Sequence, residues 1–346
     1  MSQTHLSLLV FGAGAIGTYV GGSLALAGHE VTFLERPAVA EAVRARGLTL
    51  TLQEGKRHIP APRVAATLEE ALSRGPFDAA LFALKSFDTR PALEGIRPHW
   101  DALPPVLCLS NGVENETFLA AALGEERVIA GTVTSAIGRQ AAGSITLERL
   151  RGIGIAAGHP LSERLVAAFN AAGLQARLYP RAADMKWSKM LTNLLANATS
   201  AILDMTPAEI FAHPGLYRLE MRQLREALAV MRAQSIGVVD LPGTPVRALA
   251  FAARFLPPPV SRPLLGRAVG QGRGGKMPSF HIDLHHGRGQ SEVEYLNGAV
   301  ARFGARLGVP APVNRTLTDI LLGLTRGEIP LERYARKPET LLEEAG

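Results

Sequence analysis

Apolar residues in the first half of the chain fall into short runs separated by helical patterns. Leu6–Phe11 reads as a buried strand and Ala15–Ala27 as an amphipathic helix stopped by Gly28. Glu30–Leu34 predicts a second strand and Ala38–Arg46 a second helix. Ala79–Leu84 and Val106–Leu109 are further apolar strands, each running into polar residues, Lys85-Ser86 and Ser110-Asn111-Gly112. Gly131–Ile137, Ser144–Glu148 and Gly152–Ala156 are glycine-punctuated and β-rich, and are expected to close the sheet. Ser162–Ala172 is a helix ended by Gly173. Alternation of this kind signals βαβ units on a parallel sheet.

From about Ala182 the strand-like runs give way to 3.6-period patterns over Ala183–Ser200, Leu216–Ile236, Ser291–Leu307 and Asn314–Leu324. Leu241–Pro278, rich in Pro and Gly, predicts a short helix over Pro245–Phe255 followed by a mobile loop. No repeat of 20–50 residues is visible, which excludes a solenoid. The expected architecture is α/β: an N-terminal Rossmann-type doubly wound sheet over residues 1–182 and an all-helical C-terminal domain over 183–346.

Composition narrows the class. Hydrophobic residues make up 47% and charged residues 20% of 346, with mean hydropathy +0.11, which excludes a disordered or collagen-like chain. The apolar stretches are far shorter than the roughly 20 residues a membrane span requires. Met1 to Val10 carries no basic leader or cleavage signature and is expected to enter the first strand rather than serve as a signal peptide. Cys108 stands alone, so no internal disulfide is expected and a reducing, cytoplasmic setting is. The net charge of +6 comes from scattered cations, and aromatics are only 5%. A basic stripe or stacking platform for nucleic acid is therefore not expected, whereas a mild attraction for anionic small molecules is.

Gly12-Ala13-Gly14-Ala15-Ile16-Gly17 lies between a predicted strand and a predicted helix, the context that gives this pattern meaning. Gly12 permits a tight turn, Gly14 lets backbone amides approach a pyrophosphate, and Gly17 lets helix and strand pack closely. The anion would rest on the helix N-terminus, where unpaired N–H groups and the helix dipole favour negative charge. The second strand ends in Glu35-Arg36. An acid there would take the 2′-hydroxyl of NAD and an arginine the 2′-phosphate of NADP, so the pair leaves the cofactor open.

The chain has six lysines against 31 arginines. In Asp184–Ser200, a continuous helix would hold Lys189, Asn193, Asn197 and Ser200 within about 80° of one another. Leu191, Leu194 and Leu195 take the opposite side. Asparagine is a mediocre helix former, so a stripe of this kind is expected to line a cleft rather than face solvent. Lys186 shares that face, which leaves two candidate lysines.

These residues bring the chain into a known family: it resembles the 2-dehydropantoate 2-reductases (ketopantoate reductases). The resemblance rests on residues 12–17, Lys85 and Ser110-Asn111-Gly112-Val113 in the first half. In the second half it rests on Trp187, Lys189, Asn193, Asn197, Ser291–Gly298 and Gly308–Asn314. It implies reduction of 2-dehydropantoate to (R)-pantoate, in pantothenate biosynthesis, by NADPH. Lys189 matches the lysine that donates the proton to the carbonyl oxygen. Asn193, Asn197, Ser279 and Glu292 match residues that bind substrate. Residues Gly12, Ala13, Gly14, Ala15, Ile16, Gly17, Arg36, Lys85, Asn111 and Glu292 match cofactor contacts.

The chain departs from the family pattern at Glu35, where a small or neutral residue is usual, so NAD is an alternative cofactor. The Leu241–Pro278 stretch is longer, and Ser279–Glu292 carries His281, His285 and His286. With no carboxylate or cysteine at matching spacing, these histidines are not expected to bind metal. A paralogue reducing another branched 2-oxo acid, or an NADPH-binding regulator without chemistry, are the alternatives. Leu216–Ile236 and Ser291–Leu307 could pack within one chain or across a homodimer.

Overall fold

The short apolar runs of the first half pair side by side because both faces of each are covered. Residues 5–273, 277–285, 287 and 289–345 are described in the structure, a computed structural model. They divide into two compact units, Met1–Lys186 with Leu241–Thr244, and Trp187–Asp240 with Pro245–Gly346.

In the first unit, β1 (Ser7–Phe11), α1 (Ala15–Leu26), β2 (Glu30–Leu34) and α2 (Pro37–Arg46) follow the expected alternation. Next come β3 (Leu48–Leu52), β4 (Gly55–Ile59), β5 (Arg63–Ala65), α3 (Leu68–Leu72), β6 (Ala79–Phe82) and α4 (Thr89–Gly95). The unit continues through β7 (Val106–Cys108), α5 (Asn115–Leu123), β8 (Val128–Val133), β9 (Ala136–Ala141) and β10 (Ser144–Arg149). It closes with β11 (Ile153–Ala156), α6 (Ser162–Ala171) and β12 (Ala176–Tyr179). The main sheet runs β12-β11-β8-β7-β6-β1-β2-β5, parallel throughout except where β11 meets β8. Leu8, Val10 and Leu81 enter one apolar cluster, and Leu9, Phe11, Ala80 and Phe82 the other. Alternate residues thus bury opposite faces, which is why these strands read as unbroken apolar runs. The strand order reverses beside β1, the point at which open α/β sheets hold ligands.

Two expectations for this unit are corrected. Ser144–Glu148 does not extend the main sheet: β10 joins a separate sheet, β4-β3-β10-β9, in which Leu50 is paired with Ile145 and both are buried. And α1 is not amphipathic, since Gly17 to Leu24 are all buried. It packs against both sheets: a Cβ at Gly21 would meet Phe33 and Val10, and one at Gly22 would meet Leu50. A helix covered on both sides carries no polar face.

Helix α7 (Ala182–Leu194) begins in the first unit and continues into the second. The second unit then adds α8 (Asn197–Leu203), α9 (Pro207–Ala212), α10 (Pro214–Ala233) and α11 (Val246–Phe255). It continues with α12 (Pro258–Arg273), α13 (Ser279–His285), α14 (Asn297–Leu307), α15 (Pro312–Thr325) and α16 (Pro338–Ala345). Helix α10 is the hub, burying Leu216, Tyr217, Leu224, Leu228 and Met231 among α9, α11, α14, α15 and α16.

The mobile loop expected after Pro245–Phe255 is helix over Pro258–Arg273. Pro258 occupies the first helical position, where its missing N–H has no intrahelical partner to lose. Ser261 anchors the turn, donating to the carbonyl of Pro257 at 3.1 Å and accepting from the Tyr217 hydroxyl at 2.5 Å. The pattern over Ser291–Leu307 divides into a 3-10 turn, Glu292–Tyr295, and α14, broken at Leu296. No helix among the described residues is long and apolar enough to cross a membrane.

Candidate active site

Each glycine of the first turn has its own physical reason. Gly12 closes β1 with φ +93°, a left-handed conformation that favours glycine, and its N–H donates to Leu34 O at 3.0 Å. A Cβ on Gly17 would lie 1.8 Å from the carbonyl oxygen of Gly12, so helix and turn touch only because that residue is glycine. Gly14 is different: a Cβ there would meet nothing within 4 Å. Packing within the chain does not require glycine at 14, and the space is open to something else. Helix α1 starts with no capping side chain and no acid in its first turn, with Gly14, Ala15 and Ile16 half-buried. Uncapped amides at a helix start favour an anion.

Glu35 sits against this turn. Its carboxylate accepts the N–H of Ala13 at 2.5 Å through Oε1 and that of Arg36 at 3.2 Å through Oε2. Both oxygens are therefore turned to backbone, while the Arg36 side chain is exposed at the start of α2. Lys85 follows β6 and Asn111 follows β7, both half-buried. The Asn111 carbonyl accepts from Ser86 Oγ at 2.9 Å, and Ser110 Oγ donates to Leu84 O at 2.8 Å, tying these two strand ends together.

The two lysines of α7 separate clearly. Lys186 is only 5% exposed, and its Nζ lies 2.7 Å from Glu116 Oε1, 2.7 Å from Ser110 O and 3.2 Å from Gly131 O. Two of these contacts are hydrogen bonds to backbone carbonyls and the third is an ion pair, and all three oxygens belong to the first unit. Burial alone would pull its pKa down, but the carboxylate of Glu116 outweighs it and holds the ammonium charged. Burial also pushes the Cys108 thiol up, which keeps it protonated. Lys189, one turn on, is half-buried in the second unit.

The expected four-residue stripe does not run along one helix. Helix α7 ends at Leu194, Ala196 is left-handed at φ 48°, and Asn197 opens α8. The break is made by Glu220 of α10, which is fully buried. Its carboxylate accepts the Ala196 N–H at 2.8 Å, the Thr199 hydroxyl at 2.7 Å and the Gln223 amide at 2.6 Å. A negative group there pairs the Ala196 amide and the Thr199 hydroxyl at the start of α8, where the helix dipole favours negative charge.

Lys189 and Asn193 keep their four-residue relation on α7, with Asn193 half-buried. Asn197 reaches back: its Nδ2 donates to Asn193 O at 3.1 Å and to Ser279 Oγ at 3.4 Å, and its Oδ1 accepts the N–H of Phe280 at 3.1 Å. Asn193, Asn197 and Ser279 are thus brought together, and Asn197 also fixes the start of α13. Ser200 is not part of that group. It is fully buried, and its hydroxyl has no hydrogen-bond partner among the described residues. Glu292 is buried in the turn Glu292–Tyr295, beside α14 and α15.

Sequence reasoning missed the network behind this group. Asn297 Nδ2 donates to Gln223 Oε1 at 3.0 Å and Asn314 Oδ1 at 3.1 Å, and Asn314 Nδ2 donates to Glu226 at 2.7 Å. The signal was present as polar residues at apolar-phase positions of α10: Glu220 and Gln223 interrupt a face that is otherwise core. His281 and His285 lie on α13, and His286 falls outside the described residues.

Comparison with known proteins bears on both units. Residues 8–158 match the family described as ketopantoate reductase PanE/ApbA, and residues 181–325 match its C-terminal counterpart. A 2-dehydropantoate 2-reductase of Mesorhizobium japonicum is 30% identical, with 93% of this chain and 97% of that protein covered. The crystal structure of a PanE/ApbA family ketopantoate reductase from Ralstonia eutropha JMP134 superposes with a TM-score of 0.78 at 28% identity, covering 93% and 99% of the two chains. The fold recurs in D-mandelate dehydrogenase, solved with NADH and anilino(oxo)acetate, with TM-score 0.75 at 20% identity over 93% and 99% of the chains.

Proposed function

The chain belongs to the ketopantoate reductase family, and from that premise we propose that it reduces 2-dehydropantoate to (R)-pantoate with NADPH, with Lys189 as the general acid. It is a nicotinamide-dependent oxidoreductase of 2-oxo acids. What carries the assignment of the acid is the contrast between the two lysines. Lys186 is buried, with its Nζ held against Glu116, Ser110 and Gly131, whereas Lys189 is half-buried and shares α7 with Asn193 one turn on.

The residues present fit a dinucleotide. The open space at Gly14 and the uncapped start of α1 suit a pyrophosphate. Glu35 has both oxygens on backbone amides while Arg36 is exposed, which supports a 2′-phosphate and so NADPH over NADH. Lys85 and Asn111, at strand ends, and Glu292 complete the proposed cofactor contacts. The chemistry NADPH supplies when bound is hydride to the C2 carbonyl carbon.

The chain's own part is electrostatic and positional. The Lys189 ammonium stabilises negative charge developing on the C2 oxygen and delivers its Nζ proton there. Asn193 and Ser279 hold the substrate, and Asn197 fixes both, because its amide bonds to the Asn193 carbonyl and the Ser279 hydroxyl. Glu292, buried in the turn Glu292–Tyr295, completes the proposed substrate contacts.

The test is consumption of NADPH and of NADH with 2-dehydropantoate as oxidant, beside a panel of other 2-oxo acids. NADPH is expected to be preferred by about tenfold or more, about 1.4 kcal/mol, and 2-dehydropantoate to be the best oxidant. Preference for NADH, or turnover only with a different 2-oxo acid, would overturn the cofactor or the substrate respectively.

A further inference from the structure

The case against metal in the sequence rested on the lack of a carboxylate near the three histidines. Folding supplies one. Asp204, 77 residues before His281, ends α8 in a left-handed conformation (φ 49°, ψ 47°). Its Oδ1 lies 2.7 Å from His281 Nε2 and 4.0 Å from His285 Nε2. The histidines are one turn apart on α13, with ring centroids 4.0 Å apart. One ligand atom from each of Asp204, His281 and His285 lies within 4.8 Å of the others.

We propose that Asp204, His281 and His285 form a binding site for a divalent transition metal ion of the Zn²⁺ or Co²⁺ type, which clamps α13 to the end of α8. Two imidazoles and a carboxylate make a borderline donor set suited to such ions, and not to Mg²⁺ or Ca²⁺, which prefer all-oxygen ligands. Bonds of about 2.0–2.2 Å to all three donors require the ligand atoms to draw to roughly 3.5 Å apart. Binding would draw His285 towards Asp204 from 4.0 Å and move His281 slightly away from 2.7 Å. Asp204 is half exposed and His285 a third exposed, so an ion has an entry path and water can fill a fourth position. The Arg336 guanidinium, which also faces Asp204, is paired with Glu209 and leaves the carboxylate available.

The location gives the site a consequence. Helix α13 spans only Ser279–His285, too short to be stable alone. Asn197 ties its first turn to the start of α8, through Ser279 and Phe280. The metal would tie its last turn to the end of α8, so that both ends of the helix carrying Ser279 are held. The proposal stands on these side chains and does not depend on the substrate assigned above.

Binding is tested on the intact, tag-free chain, stripped with EDTA and returned to chelator-free buffer. Co²⁺ is titrated by visible absorption, and Zn²⁺ by calorimetry and thermal unfolding. One equivalent is expected to bind, with cobalt bands of low-coordinate nitrogen–oxygen ligation and a zinc-dependent rise in unfolding temperature. His285→Ala leaves the Asp204–His281 bond intact, and Asp204→Asn keeps a residue that tolerates the left-handed backbone. Each is expected to weaken binding at least tenfold and to remove the thermal shift. Absence of saturable binding, or binding unchanged in both variants, overturns the proposal.

Discussion

Helices α1 and α8 both begin at residues proposed above to serve the site, yet their starts are built in opposite ways. At α1 there is no capping side chain and no first-turn acid, and the glycine at the cap faces open space. At α8 a fully buried carboxylate from α10 fills the same role from inside, satisfying Ala196 and Thr199. A helix start supplied from within the chain is a structural joint. One left unsupplied, with a glycine that packing does not require, is a place for a ligand anion. A related contrast separates Lys186, buried against Glu116, Ser110 and Gly131, from Lys189, half-buried one turn later.

Substitutions can break this comparison in order of effect. The largest belongs to Gly17→Ala, whose Cβ would overlap the Gly12 carbonyl. It is expected to destabilise the first unit by at least about 3 kcal/mol, the top of the overpacking range, measured by denaturant unfolding. Near-normal stability would mean that the turn relaxes freely and that its geometry is not set by glycine. Glu220→Ala comes next, stranding the Ala196 amide, the Thr199 hydroxyl and the Gln223 amide in the core. A loss of about 3 kcal/mol is expected, since each buried unpaired donor costs about 1–3 kcal/mol. A loss confined to turnover would instead make Glu220 part of the chemistry.

Gly14→Ala has the smallest effect on the fold and the most specific one on function. No protein atom opposes its Cβ, so stability is expected to stay within about 1 kcal/mol of wild type. NADPH affinity is expected to fall at least tenfold, about 1.4 kcal/mol, in a fluorescence titration. Unchanged affinity would place the pyrophosphate elsewhere.

What the sequence made legible was local. The glycine turn, Lys85 and Asn111 at strand ends, and Lys189 with Asn193 one turn on all follow from spacing within a few residues. The misreadings were non-local. Leu194-Leu195-Ala196 contains no glycine or proline, and nothing local announces a break imposed by Glu220, 24 residues away. Strand β3, Leu48–Leu52, alternates Leu and Thr, but its partner β4, Gly55–Ile59, is almost wholly exposed and shows no alternation, so nothing local announced the second sheet that captures β10. The Pro-rich stretch after Phe255 looked like a loop because its prolines cluster, yet Pro258 stands where a helix tolerates one. Asp204 became a partner of His281 only through folding.

The central claim is that Lys189, and not Lys186, supplies the proton. Single-turnover and steady-state kinetics of Lys189→Ala with NADPH and 2-dehydropantoate test it most directly. Loss of about 10²–10⁴-fold in kcat is predicted, the usual range for removing a general acid, with unfolding and NADPH binding unchanged. Turnover near that of the wild type would contradict the account.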